Sequence, residues 1–142
     1  MPGMVFWDTW SWLALGRRRD SRHGHVRALY RRLRKGGARL CTSDYVLDET
    51  ITLLFRRELF AEAVSFGEAL FAPAASGALL VERINAARFA EAWRLRRKLD
   101  DKPLVSFTDL TTMSLVRELG IEEIVSADDH FRHVGMNLRL LP

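Results

Sequence analysis

The chain of 142 residues has one cysteine, Cys41, so no disulfide can form within it, and a reducing, cytoplasmic compartment is the expectation. Cys41 lies in the apolar stretch ARLCTS with no histidine near it in sequence, and reads as a packing residue rather than a nucleophile. Long apolar runs are also missing. None approaches the roughly 18 residues that a membrane span needs, so no membrane partner is expected. The N-terminus lacks the basic start of a secretory leader, and Asp8 interrupts its apolar stretch. Lysine is scarce: of 22 cations, only Lys35, Lys98 and Lys102 are not arginine. No repeat, linker or low-complexity tract breaks the chain, so one domain over residues 1–142 is expected, long enough to bury a proper core.

Charge, by contrast, is plentiful and uneven. The formal net charge is +4, yet residues 1–40 carry ten cations against only Asp8 and Asp20, a local +8 that leaves residues 41–142 at −4. A basic quarter on a mildly acidic domain suits phosphates or an acidic partner, and it equally suits a solvated helix face.

The hydrophobic pattern alternates strands with helices. Residues 4–8 read as a strand, and 22–35 as a helix with Val26, Leu29, Tyr30 and Leu33 inward, stopped by Gly36-Gly37. ARLCT is a second strand. Ser43 caps a helix over 44–57 with Val46, Leu47, Thr50 and Leu54 buried. A further helix over 58–72, closed by Pro73, spaces Phe60, Ala63, Val64, Gly67 and Phe71 along one side. ALLVERI is a third strand, and 85–100 a helix with Ala86, Phe89, Ala90 and Trp93 inward. LVSF is too short to assign. A helix over 108–119 packs Leu110, Met113 and Val116 and ends at Gly120; EEIVSA is a fourth strand and LRLL a short last one. Such alternation implies the α/β class, a three-layer sandwich with a central parallel sheet and helices on both faces.

One residue breaks the pattern. FWDTWSWLAL places Asp8 in an otherwise apolar segment, where a lone carboxylate is costly unless paired, hydrogen-bonded or metal-bound. Ligands of open parallel sheets bind outside the carboxyl ends of the strands. Asp8 follows the first strand, Glu49 lies early in the helix after the second, Asp109 opens the helix after LVSF, and Asp128 follows the fourth strand. Four carboxylates at one edge repel one another unless a cation neutralises them, and magnesium or manganese suits all-oxygen donors. Each acid alone has a plainer reading: Asp109 as a helix-start residue, Glu49 as a surface acid, Asp128-Asp129 as a turn pair. Thr9, Thr108 and Ser126 neighbour the acids, and their hydroxyls either orient a carboxylate or water, or cap helices and turns. His23-Gly24-His25 and His130-Phe131-Arg132-His133 lack cysteines or a third spaced ligand, which argues against structural zinc.

VFWDTWSWLAL, DYVLDETITLL, LVSFTDLTTMSLVRELGI and EIVSADDHFRHVGMNLRLL together resemble a PIN domain, and more narrowly the VapC-type ribonuclease toxins of prokaryotic toxin–antitoxin pairs. The resemblance spans nearly the whole chain, and SFTD followed by SADxHF and then a glycine is its most specific element. It implies a PIN-like fold and an endoribonuclease, dependent on Mg2+ or Mn2+, that hydrolyses RNA to a 5′-phosphate and a 3′-hydroxyl. It aligns Asp8, Glu49, Asp109 and Asp128 with the family's four acids, as metal ligands and catalytic carboxylates. It sets His130 beside Asp128 as a hydrogen-bonding support and leaves Asp129 at a variable place. A cognate antitoxin and a homodimer are implied as well. The antitoxin is expected near the basic early helix and the helix pair 44–72, whose apolar surplus (Leu54, Phe55, Leu59, Phe60, Phe66, Leu70, Phe71) offers a surface for it or for a second copy, unless that pair is buried all round. The segment after Asp8 departs from the family in its tryptophans, Trp10 and Trp12. A haloacid-dehalogenase-type phosphatase would need an aspartate where Trp10 stands, and a receiver domain a lysine after the last strand. A stand-alone PIN nuclease for RNA processing and a non-catalytic nucleic-acid-binding PIN module are the alternatives.

Overall fold

β1 (Met4–Trp7) buries Val5, Phe6 and Trp7 in succession, and successive strand residues point to opposite faces, so both sides of this strand are covered. In the computed structural model, residues 3–126 and the backbone of 139–141 are described. After β1 come α1 (Thr9–Gly16), α2 (His23–Lys35), β2 (Arg39–Ser43), α3 (Asp44–Arg57), α4 (Phe60–Ser76), β3 (Leu79–Glu82), α5 (Ala86–Lys98), α6 (Phe107–Leu119), β4 (Glu123–Val125) and β5 (Arg139–Leu141). The sheet order is β3-β2-β1-β4-β5, and every neighbouring pair is parallel. Phe6 stands level with Cys41 on one side and Ile124 on the other, which fixes the register at the centre of the core.

Chain direction across the sheet reverses once. From β1 the chain steps to β2 and β3, then returns past β1 to β4. Right-handed crossovers therefore put α1–α4 on one face and α5–α6 on the other. The reversal leaves a switch point between the carboxyl ends of β1 and β4, where open parallel sheets bind their ligands. No helix among the described residues is long and apolar enough to cross a membrane.

Several local readings hold in detail. The buried residues of α3 are Val46, Leu47, Thr50 and Leu54, and Ser43 Oγ accepts the Val46 N–H at 3.1 Å as its cap. Val26 and Leu29 form the buried face of α2, and Leu110, Met113 and Val116 lie in that of α6. Cys41 is buried, and that burial pushes its thiol up to about 12, as expected of a packing residue.

One helix adds to the reading from sequence, and three readings are corrected. Residues 9–16 form a helix, α1, which the apolar-all-round sequence concealed; its Trp12 packs with Trp7 and Tyr30, ring centroids 5.5 and 6.4 Å away. Pro73 lies inside α4, which runs on to Ser76. It removes one hydrogen bond from the last turn, near the exposed Ala69, and the helix ends at Gly77 with φ +84°. The buried residues of α4 are Ala63, Gly67 and Leu70, while Phe60 and Phe71 are exposed. On α5 the buried residue is Ala92, and Phe89 and Trp93 face outward. A small residue allows α5 to lie close against α6, and Arg88 binds Glu118 across that contact as well as Glu82 of β3.

Candidate active site

Asp8 begins where β1 ends. Its backbone N–H donates to Val125 O of β4 at 3.2 Å, which ties it to the switch point. Its carboxylate caps α1, accepting the Ser11 N–H at 3.1 Å and the Ser11 hydroxyl at 3.0 Å through Oδ1. Ser126, the first residue beyond β4, donates to Oδ2 from the other side. The two strands that flank the switch point thus meet at one carboxylate, which is only 3% exposed. Burial pushes the Asp8 carboxyl up to about 7. The hydrogen bonds from Ser126 and Ser11 pull it down, and the negative charge of Asp109 pushes it up further.

Glu49 reaches the same neighbourhood from the second turn of α3, half-buried. Its carboxyl is also raised, first by burial and then by the charges of Asp109 and Asp48, while hydrogen bonds from the Thr9 and Thr108 side chains oppose the rise. Asp109 lies in the first turn of α6, whose cap is Ser106; Ser106 Oγ accepts the Asp109 N–H at 3.0 Å. Thr108 is therefore not the helix cap, and its hydroxyl serves Glu49 instead. The charge of Asp109 raises both other acids, so the three carboxylates from β1, α3 and α6 share one field.

Of the residues singled out from sequence, Asp8, Glu49, Asp109, Thr9, Thr108 and Ser126 come together here. Asp128 and His130, with Asp129, Phe131 and His133, lie outside the described residues. The Nδ1 of His23 stands 2.9 Å from Ala14 O, a link between α1 and α2. Two contributors escaped the sequence reading. Ser11 supplies two of the hydrogen bonds to Asp8, and its hydroxyl also lies 2.6 Å from Val125 O; the three-residue spacing from Asp8 to Ser11 was the available signal. Arg96 holds the α5–α6 connection by donating to the carbonyls of Leu99, Lys102 and Val105, just ahead of Ser106.

Among the described residues no three acidic, histidine or cysteine side chains make a finished metal cage. The donor chemistry nevertheless fits a hard divalent cation. The donors are carboxylate oxygens, two of them with raised proton affinity, and the field they share is one that a cation relieves.

Comparison with known proteins follows the same lines. The PIN domain family model matches residues 5–136. The chain belongs to the PIN-domain family. PIN domains are a family of nuclease hydrolases and are generally dependent on divalent metal. The chain is 34% identical over 132 residues to the 23S rRNA-specific endonuclease VapC20 of Mycobacterium tuberculosis, covering 93% of this chain and 95% of that protein. The crystal structure of that VapC20, described as a sarcin–ricin loop cleaving toxin, superposes with a TM-score of 0.78 at 33% identity, over 95% of this chain and 98% of the other. VapBC2 from Rickettsia felis, solved bound to a DNA fragment from its promoter, shares the fold with a TM-score of 0.72 at 16% identity, over 97% of each chain. The PIN assignment accounts for the parallel sheet and its flanking helices.

Proposed function

We propose that this chain is a metal-dependent endoribonuclease, the toxin of a toxin–antitoxin pair, and that Asp8, Glu49, Asp109 and Asp128 carry its chemistry. The observation that carries the reading is Asp8, a buried carboxylate held at the switch point and coupled to Asp109 of α6, whose charge also raises Glu49 of α3. Asp8 and Asp109 would hold Mg2+ or Mn2+, with Glu49 and Asp128 completing the set. When bound, the cation supplies activation of water and neutralisation of charge on the phosphodiester. The chain's own part is orientation. Ser11 and Ser126 fix the two oxygens of Asp8 from opposite sides, so the carboxylate cannot turn. Thr9 and Thr108 donate to Glu49 and oppose the rise in its proton affinity, as hydroxyl supports do for metal-binding acids. His130 would support Asp128 in the same way. Hydrolysis breaks the bond between phosphorus and the 3′ oxygen, adding water so that one product carries a 5′-phosphate and the other a 3′-hydroxyl.

The relationship to VapC20 favours a ribosomal RNA loop as the substrate, since an unpaired loop offers a splayed backbone that a duplex does not. The exposed side chains of Phe55, Leu59 and Phe60 suit burial by an antitoxin or by a second copy in a homodimer. A cytoplasmic, single-domain protein fits these roles. The test is cleavage of a ribosomal stem-loop by the wild type with Mg2+ or Mn2+, with and without chelator, beside Asp8→Asn and Asp109→Asn. Loss of one metal carboxylate is expected to lower the rate about a hundredfold or more. Near-normal, chelator-sensitive cleavage by either variant would overturn the site.

A further inference from the structure

The unevenness of charge along the chain has a structural counterpart. On α5 three of the four arginines are bound internally: Arg88 binds Glu82 and Glu118, Arg94 binds Glu91, and Arg96 binds three carbonyls, while Arg97 is exposed. On α2 they are not. Arg27, Arg31, Arg32 and Lys35 are exposed, and none has an acidic partner among the described residues. Between residues 9 and 43 the only acid is Asp20, which accepts the Arg22 N–H.

This arrangement works against the helix that carries it. Arg27, Arg31 and Lys35 succeed one another at i, i+4, where like charges repel. The first turn of α2 has no acid to favour the helix dipole, and it begins with His23. Helix stability is instead supplied by Val26 and Leu29, buried on the other face. The exposed face also lacks what a protein partner would seize. It holds no exposed large apolar side chain, because Tyr30 and Leu33 are half-buried and Tyr30 meets Trp7 edge-on at 5.4 Å. For the same reason it offers no platform for stacking bases. What is left is a row of cations rising about 6 Å per step, a surface for backbone phosphates.

We infer that the exposed face of α2, centred on Arg27, Arg31, Arg32 and Lys35, is a second RNA-binding surface that grips the phosphate backbone of the duplex flanking the cleaved segment. The inference rests on the endoribonuclease reading for its choice of RNA, but not on cleavage itself. It makes the protein a reader of folded RNA: the carboxylates engage the loop, and α2 engages the stem.

The test measures binding in the Asp8→Asn background, so that failure of cleavage and failure of this surface are separable. Two probes are used, an RNA stem-loop with a full turn of duplex and its loop sequence as a linear strand. The fourfold variant Arg27→Gln, Arg31→Gln, Arg32→Gln, Lys35→Gln should weaken stem-loop binding at least tenfold and flatten its log K against log salt slope by about three. Affinity for the linear strand should change less than twofold. Thermal unfolding checks that the fold is intact, and Arg31→Gln alone, which should weaken stem-loop binding severalfold, serves if the fourfold variant is not. An unchanged stem-loop affinity and slope would overturn the inference. So would equal losses on both probes, or a loss confined to binding of an acidic polypeptide.

Discussion

Replacing Asp8 with asparagine should make the metal-free protein more stable at neutral and alkaline pH, although it removes the residue on which the site is built. The Asp8 carboxyl is raised from 3.8 to about 7, mainly because burial disfavours its charge. Between those values the folded protein holds a proton that the unfolded chain has released. The folded state therefore binds more protons, and its stability falls as pH rises. The contribution is fully present below about pH 4 and is lost as pH rises through about 7. Roughly three pH units at about 1.4 kcal/mol each give about 4 kcal/mol. The substituted amide would keep an oxygen acceptor for Ser11 and carry no charge, so the variant should lack this dependence. In chelator, urea unfolding should give similar stabilities at about pH 4 and an advantage of up to about 4 kcal/mol for Asp8→Asn at about pH 8. Millimolar Mg2+ or Mn2+ at the higher pH should stabilise the wild type and leave the variant unmoved. Parallel pH profiles in chelator, or a variant less stable at the higher pH, would refute the reasoning.

Thr108→Val removes a donor that lowers the Glu49 carboxyl, so the acidic limb of the cleavage pH profile should move to higher pH; Thr108→Ser should restore it, and an unmoved limb in Thr108→Val would remove Thr108 from the site. Asp128→Asn should weaken metal binding and cleavage clearly, and Asp129→Asn should stay within about a fewfold of wild type, the effect of an exposed turn residue. If Asp129→Asn is the inactive one, the register of the C-terminal motif is off by one. Gly16→Ala places a Cβ 2.8 Å from the Phe66 ring of α4, which should cost about 1–3 kcal/mol in chemical denaturation, and Phe66→Leu should recover part of it.

Much of the fold was readable because its signals are local and redundant. Ser43 caps α3 and four residues at helical spacing form its buried stripe, so two independent cues agree. Where only one cue existed, it misled. The eight residues of α1 are apolar nearly all round, so no period distinguishes them from the strand before them. On α5 the large side chains Phe89 and Trp93 suggested a buried face. Yet α5 packs closely on α6, and Phe89 lies over Phe107 near the surface with ring centroids 4.9 Å apart. Side-chain size says how much area burial would gain, not which face the neighbouring helix allows close. The hydroxyls around the acids were legible as neighbours but not as partners. Thr108 and Ser106 are two residues apart, and only the path of the α5–α6 connection, held by Arg96, decides which one caps α6.

Asp8 was legible for a reason that the structure sharpens. A carboxylate at a helix N-cap is ordinarily held ionised by the helix dipole and the amide it accepts, an effect of about 0.3–1 kcal/mol for the dipole. At Asp8 the dipole of α1, the Ser11 amide and two hydroxyls all act in that direction, and the carboxyl is nevertheless raised to about 7. Desolvation wins by several kcal/mol, on the order of three pH units. Serine, threonine or asparagine would cap α1 without that penalty. The buried position therefore makes sense as a cap only if the charge has a second use, and Glu49 and Asp109, both acidic, cannot neutralise it. A divalent cation held by these carboxylates can. The tension that FWDTWSWLAL shows in one dimension is thus the same one that the switch point shows in three.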